Sequence, residues 1–381
     1  MSTSRPRIFL SAGEPSGDLH GAALARALLK RWPDAELYGL GGDLMRAAGV
    51  RLLAHAQQLA VMGLVEVLRH LPFFAGLWRQ VKREITGRPP DLVIPIDYPG
   101  FNLRLAALAK QKRIPVLYFI APQVWAWHRS RMKQLAENVD RLAVVLPFEE
   151  ELFKDAGANA QFVGHPLLDL PGKPLERAAF LRSIGVAADA PLLALFPGSR
   201  AQELRRHLPL FMQTVQWLKR QYTTVQPVWA VAPGIPEALY RETGLPHTAD
   251  TGSLLAHARA ALVKSGTTTL QTALAEVPMV VTYQMHPLSY KLARRLVDVP
   301  HIALANLVAG KRVVPELIQE AASPEALAAA LLLLLRDTDE RAQAVDGLKQ
   351  VREKLASPEA GVSAAEQVTR LAAELIEARR V

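Results

Sequence analysis

The stretch Leu192-Leu193-Ala194-Leu195-Phe196-Pro197-Gly198-Ser199-Arg200 limits the possible folds more than any other part of this chain. An unbroken apolar run of strand length fits a parallel strand buried on both faces. The small-residue turn after it feeds a helix expected to start near Glu203 and Leu204. A helix that begins just after such a turn offers unpaired backbone N–H groups and the positive end of its dipole. That is a seat for a phosphate, and the Arg200 guanidinium at its mouth can clamp one with two parallel bonds. Strand, turn and helix in this order predict an α/β fold in which ligands meet the carboxyl ends of the strands.

The same pattern opens the chain. Arg7 to Ala12 reads as a strand, Gly13-Glu14-Pro15-Ser16-Gly17-Asp18 as a turn, and a helix follows through Leu24 and Leu28. The turn lacks the GxGxxG spacing of a dinucleotide fingerprint. Asp18 has two readings, a helix N-cap or a ligand contact. Glu14 has no routine structural task at a strand tip. Asp91 to Ile96 is a further buried strand, and it ends in Asp97. Tyr98-Pro99-Gly100 then turn the chain before the next helix. A carboxylate there can take a proton from a substrate hydroxyl; the alternative is a cap for the helix at 103–112.

The length of 381 residues predicts two domains. Half of the residues are hydrophobic, which excludes a disordered chain, and the absence of cysteine excludes disulfides and thiolate metal sites. The net charge of +9 points to anionic partners. Without a basic tail or a nucleic-acid motif, and with aromatics at only 6%, nucleic acid is not the expected one. No apolar run reaches membrane-spanning length, and the N-terminus does not read as a signal peptide, so a cytoplasmic protein is expected.

The stretch 59–83 is unusual. Val61, Met62, Val65, Leu68, Phe73, Phe74 and Trp78 are interleaved with Arg69, Arg79, Lys82 and Arg83. Pro72 predicts two short helices rather than one. The stretch is either core helices or an apolar surface with a basic rim, suited to an anionic membrane or to acyl chains. In the second half, Ala260 to Lys264 reads as a strand entering a second small-residue turn, Ser265-Gly266-Thr267, with Gln271 one helical turn beyond. A helix is expected at 288–297, and further helices over 324–381.

In order along the chain, the motifs Ala12-Gly13-Glu14-Pro15-Ser16-Gly17-Asp18, Ala60 to Leu68, Ile96-Asp97-Tyr98-Pro99, Pro122 to Trp127, Leu146-Pro147-Phe148-Glu149, Val163-Gly164-His165, Pro197-Gly198-Ser199-Arg200, Ser265-Gly266-Thr267 and Asn306 to Gly310 resemble lipid-A-disaccharide synthase, a family of bacterial glycosyltransferases. The resemblance implies a GT-B fold, two Rossmann-like doubly wound domains facing a cleft. It implies an acceptor domain over 1–168, a UDP-sugar domain over 169–355, and a C-terminal helix over 356–381 that crosses back to the first domain. It implies inverting transfer of 2,3-diacylglucosamine from its UDP-activated form to 2,3-diacylglucosamine 1-phosphate. The products are the β-1,6-linked disaccharide 1-phosphate and UDP, with no metal or other cofactor expected. By this resemblance Asp97 is the general base, while Gly13, Glu14, Ser16, Gly17 and Asp18 line the acceptor loop. Gly198, Ser199, Arg200, Ser265, Gly266, Thr267, Gln271 and Asn306 hold the donor. The family sits on the inner leaflet of the cytoplasmic membrane, which gives the apolar residues of 61–78 a use, and some members are homodimers. Two positions depart from its pattern. Gly100 stands where many members carry an acid, and Gln271 where related enzymes carry a ribose-binding Glu. The alternative is another GT-B nucleotide-sugar transferase or epimerase with a water-soluble substrate.

Overall fold

The computed structural model describes residues 5–59, 64–124, 129–169, 172–187, 189–285, 290 and 300–379; within the helix that begins at Leu64, side chains are described from Pro72 onward. The chain divides into two compact units, Met1–Leu170 together with Leu355–Val381, and Pro171–Lys354.

The first unit is a parallel sheet of β1 (Arg7–Ala12), β2 (Glu36–Gly41), β3 (Arg51–His55), β4 (Leu92–Ile96), β5 (Leu117–Phe119), β6 (Arg141–Val144) and β7 (Ala160–Phe162). Its order is β3-β2-β1-β4-β5-β6-β7. β1 and β4 are buried along their whole length, as strands covered by helices on both faces must be. The chain runs outward from β1 to β3, then returns to lay β4 on the other side of β1. The crevice between the carboxyl ends of β1 and β4 is therefore the topological switch point, where open α/β sheets bind their ligands. The C-terminal helix Ala364–Ala378 belongs to this unit. Its first N–H donates to Asp169 (2.7 Å), and Arg379 donates to the Pro90 carbonyl (2.7 Å).

The second unit repeats the plan with β8 (Leu192–Phe196), β9 (Gln226–Ala230), β10 (His247–Thr248), β11 (Ala258–Lys264), β12 (Met279–Tyr283) and β13 (Glu316–Ile318). The order is β10-β9-β8-β11-β12-β13, so its switch point lies between β8 and β11. The helix after β8, Ala201–Gln221, buries Leu204, His207, Phe211, Val215 and Leu218, a helical spacing that lays one stripe on the core. Trp229, Tyr240 and Phe211 fill that core.

Pro72 does not divide its segment. One helix runs through it, Leu64–Gly87, preceded by the short helix Ala56–Leu59. An interior proline forfeits one backbone bond and crowds the carbonyl four residues earlier. Pro72 lies on the exposed side, where water can serve that carbonyl, and turns on both sides hold the helix together. Pro209, also exposed, is carried inside Ala201–Gln221 in the same way. The latter helix also starts at Ala201, two residues earlier than expected, because Arg200 takes the N-cap position. The expected helix at 288–297 lies outside the described residues apart from Tyr290.

Candidate active site

At the first switch point, β1 ends at Ala12 and the helix Pro15–Arg31 begins with its proline in the first turn, where a missing N–H costs nothing. Glu14 occupies the N-cap position, but its side chain makes no capping bond. Its carboxylate is half-buried at the strand tip, and Ser16 beside it is exposed. Gly13 is required by a close approach: a Cβ there would strike the Tyr98 ring.

Tyr98 belongs to the facing turn. After β4, Asp97 and Tyr98 both adopt left-handed backbone, with φ of 47° and 52°. This costs roughly 1–2 kcal/mol per residue for side chains other than glycine, so the surroundings must hold it. The Asp97 carbonyl accepts from Asn102 Nδ2 (2.7 Å) and from the Tyr118 hydroxyl (2.7 Å). The Asp97 N–H donates to the Phe119 carbonyl (3.1 Å). The Tyr98 hydroxyl donates to the Leu59 carbonyl (3.1 Å). Asn102, fully buried, also donates to the Ser11 carbonyl (3.0 Å) and accepts from the Ser11 hydroxyl (2.6 Å), tying β1 to the β4 turn.

The electrostatics of Asp97 follow from this placement. Burial pushes its carboxyl up to about 6, and the negative charge of Glu14 adds to the rise, against a weaker opposing donation from the Tyr98 backbone. A carboxylate so placed is closer to the range that suits a general base near neutrality.

Asp18 faces elsewhere. Its carboxylate accepts from the backbone N–H groups of Gly42 (2.7 Å), Leu44 (3.1 Å) and Met45 (3.0 Å), at the start of the helix Asp43–Ala47. It caps a helix remote in sequence rather than its own. Gly17 packs beneath, against the Ala12 side chain.

At the second switch point, Gly198 has φ 128°, and a Cβ on it would lie 2.6 Å from Glu203 Oε2. The turn therefore needs glycine for its backbone and for room. Ser199 and Arg200 are exposed. Glu203, in the first turn of the helix, accepts from the Ser199 N–H (3.0 Å) and pairs with Lys264 at the end of β11 (2.8 Å). Burial raises the Glu203 carboxyl, but Lys264, the Ser199 N–H and Arg200 together outweigh it and hold the group below its ordinary range.

The turn after β11 lies alongside. The Ser265 N–H donates to the Thr282 carbonyl (2.9 Å), and its hydroxyl to the Ile302 carbonyl (3.2 Å). Thr267 takes the N-cap of the helix Thr268–Leu274, and Thr267 and Gln271 are exposed. Asn306 is fully buried, in the helix Leu304–Ala309. Its oxygen accepts from the N–H groups of Val313 (2.8 Å) and Val314 (3.0 Å). Its amide donates to the Val314 carbonyl (2.9 Å) and to Glu316 (2.7 Å), which fills its hydrogen-bonding capacity inside the protein. Glu316 in turn accepts from the N–H groups of Ile302 (3.0 Å) and Ala303 (3.1 Å), beside the Ser265 turn.

Of the apolar stretch, Val61 and Met62 lie outside the described residues, as do Trp125 and Trp127 of the Pro122 to Trp127 motif, and for Val65 and Leu68 only the helical backbone is described. Phe73, Phe74 and Trp78 are partly exposed, with Trp78 set edge-on against Phe101 (5.5 Å). Leu77, Val81 and Ile85 on the same helix are buried in the core. Leu77, Val81 and Ile85 thus fit the core reading, while Phe73, Phe74 and Trp78 keep part of their surface open to solvent. Among the described residues, no helix is long and apolar enough to cross a membrane, and no three His, Asp or Glu side chains gather to hold a metal ion.

Asn102, Tyr118, Glu203, Lys264 and Glu316 escaped the sequence reading. Two carried a usable signal. Glu203 is an acid four residues after the turn serine at a helix start, and Lys264 is the charged end of an apolar strand.

Solved structures of similar fold include the calicheamicin glycosyltransferase, at 18% identity and TM-score 0.62 over 98% of this chain and 99% of that one. A UDP-N-acetylglucosamine 2-epimerase aligns at 13% identity and TM-score 0.60 over 98% and 96%. These likenesses speak to the fold alone. Closer in sequence are lipid-A-disaccharide synthases of Acidobacterium capsulatum, 41% identical over 99% of this chain and 98% of the relative, and of Syntrophus aciditrophicus, 43% identical over 94% and 96%. The Lipid-A-disaccharide synthetase family model matches residues 8–370. With two Rossmann-like units of the GT-B kind, the chain belongs to the lipid-A-disaccharide synthase family, enzymes that transfer a diacylglucosamine unit to form the lipid A disaccharide.

Proposed function

We propose that the donor is UDP-2,3-diacylglucosamine, that the acceptor is 2,3-diacylglucosamine 1-phosphate, and that Asp97 is the general base of an inverting transfer. Asp97 takes the proton of the acceptor 6-hydroxyl as that oxygen bonds to the anomeric carbon. The bond from that carbon to the diphosphate breaks on the opposite face, and its electron pair leaves with UDP. Inversion gives the β-1,6 linkage. The observation that carries this reading is the Asp97 carboxyl itself: at a switch-point strand tip, held on left-handed backbone and raised to about 6.

Around the base, Gly13, Glu14, Ser16 and Gly17 form the acceptor loop, and Asp18 supports it from below through the N–H groups it caps. For the donor, Arg200 and the turn at Gly198 and Ser199 receive the diphosphate, with Ser265, Gly266, Thr267 and Gln271 alongside. Asn306 acts indirectly, by fixing Glu316 and the backbone beside Ser265. No metal or other cofactor takes part. The enzyme works at the inner leaflet of the cytoplasmic membrane, where its net charge of +9 attracts anionic lipid. Phe73, Phe74, Trp78 and the apolar residues at 61–68 meet acyl chains there. A homodimer is compatible with this arrangement.

The test is transfer of label from UDP-2,3-diacylglucosamine by the purified chain. The reading requires a β-linked disaccharide phosphate from the diacylated acceptor and none from glucosamine 1-phosphate. Equal transfer to both acceptors contradicts it.

A further inference from the structure

Lys264 closes β11, a strand that otherwise brings only Arg259 and apolar residues to the sheet. Its side chain is 14% exposed, and that of its partner Glu203 is 15% exposed. A charge so far from water needs a partner. Glu203 supplies it at 2.8 Å, and the other oxygen of the same carboxylate takes the Ser199 N–H. One carboxylate thus spans the second switch point, from the turn after β8 to the end of β11. The ammonium also lies 5.1 Å from the centre of the Tyr283 ring at the end of β12. A Cβ built on Gly266 would come within 3.8 Å of it, so it abuts the turn Ser265-Gly266-Thr267. His207 closes the other side: its Nε2 accepts from the Gln284 N–H (3.2 Å), which leaves the proton on Nδ1 for the Glu203 carbonyl (2.9 Å). An ammonium has three donors, and Glu203 is the acceptor seen for one of them.

We propose that Lys264 is a second cationic ligand of the donor diphosphate besides Arg200, and that it contacts the phosphate that carries the sugar. The inference rests on the UDP-dependent transfer proposed above. As the bond from the anomeric carbon to oxygen breaks, the electron pair stays on that phosphate, which gains one negative charge. The acceptor proton leaves separately, to Asp97. A charge at the margin of the protein interior acts on that oxygen through a lower effective dielectric than the exposed Arg200 does. Lys264 therefore stabilises the departing UDP more than the bound donor, with Glu203 holding it at the turn.

The experiment compares UDP with UMP, which lacks the sugar-linked phosphate, by calorimetry on the full chain. Wild type should prefer UDP. Lys264→Gln should lose about tenfold or more of that preference, with UMP affinity within about twofold of wild type. Preference retained in Lys264→Gln overturns the assignment of Lys264 alone. Wild type that binds neither nucleotide overturns the UDP reading as well. If Lys264→Gln does not fold, amine acylation of the unaltered protein decides. Saturating UDP should protect Lys264 several-fold more than saturating UMP, and equal labelling under both contradicts the proposal.

Discussion

Replacing Asp97 by Asn should make the protein more stable at neutral pH while removing its catalysis. The folded chain raises this carboxyl from 3.8 to about 6. Between those values the folded state holds a proton that the unfolded state has released, so stability falls as pH rises through the window. At about 1.4 kcal/mol per unit, the rise of roughly two units corresponds to about 3 kcal/mol of destabilisation at pH 7, as an upper bound. The amide keeps the volume, removes the charge, and is tolerated in left-handed backbone better than most side chains. Asp97→Asn should therefore gain about 1–3 kcal/mol at about pH 7, and nothing below about pH 3, where the carboxyl is protonated in the folded and the unfolded chain alike. Urea denaturation of both proteins across that range reads the difference directly. A variant no more stable than wild type at neutral pH refutes the reasoning, as does a gain that persists unchanged into acid.

Other consequences follow from the same geometry. Glu14→Gln removes the second contribution to the Asp97 rise, of which burial is the larger. The acid limb of kcat/KM should then move to lower pH by less than about one unit; an unmoved limb contradicts the pairing. Asp18→Ala strips the acceptor from three backbone N–H groups and should cost about 1–3 kcal/mol in urea, whereas an unchanged midpoint removes its capping role. Phe73→Ser with Phe74→Ser should weaken flotation with anionic vesicles and leave the fold intact, since both rings are partly exposed. Undiminished flotation rejects that surface.

The fold class and the family were legible because both rest on local signals. An apolar run ending in a glycine turn announces a buried parallel strand wherever it occurs, and the ordered motifs from Ala12 to Gly310 name the family. What escaped was set by partners distant in the chain. Asp18 offered two readings, a cap for its own helix or a ligand contact, yet the N–H groups it caps lie more than twenty residues away. Asn306 has every polar atom engaged by 313–316, a closure that no local pattern announces. Glu203 and Lys264 meet across sixty-one positions because β11 inserts beside β8. Pro72 misled for the opposite reason: the local rule is sound, but an exposed proline inside a long helix costs less than breaking that helix.

Proton transfer from the acceptor hydroxyl to Asp97 is the step on which the proposed transfer depends. Its most direct test is turnover of Asp97→Asn with UDP affinity measured on the same preparation. UDP binding should stay within about twofold of wild type while kcat falls by about a hundred- to ten-thousand-fold. Turnover near the wild-type rate would contradict it.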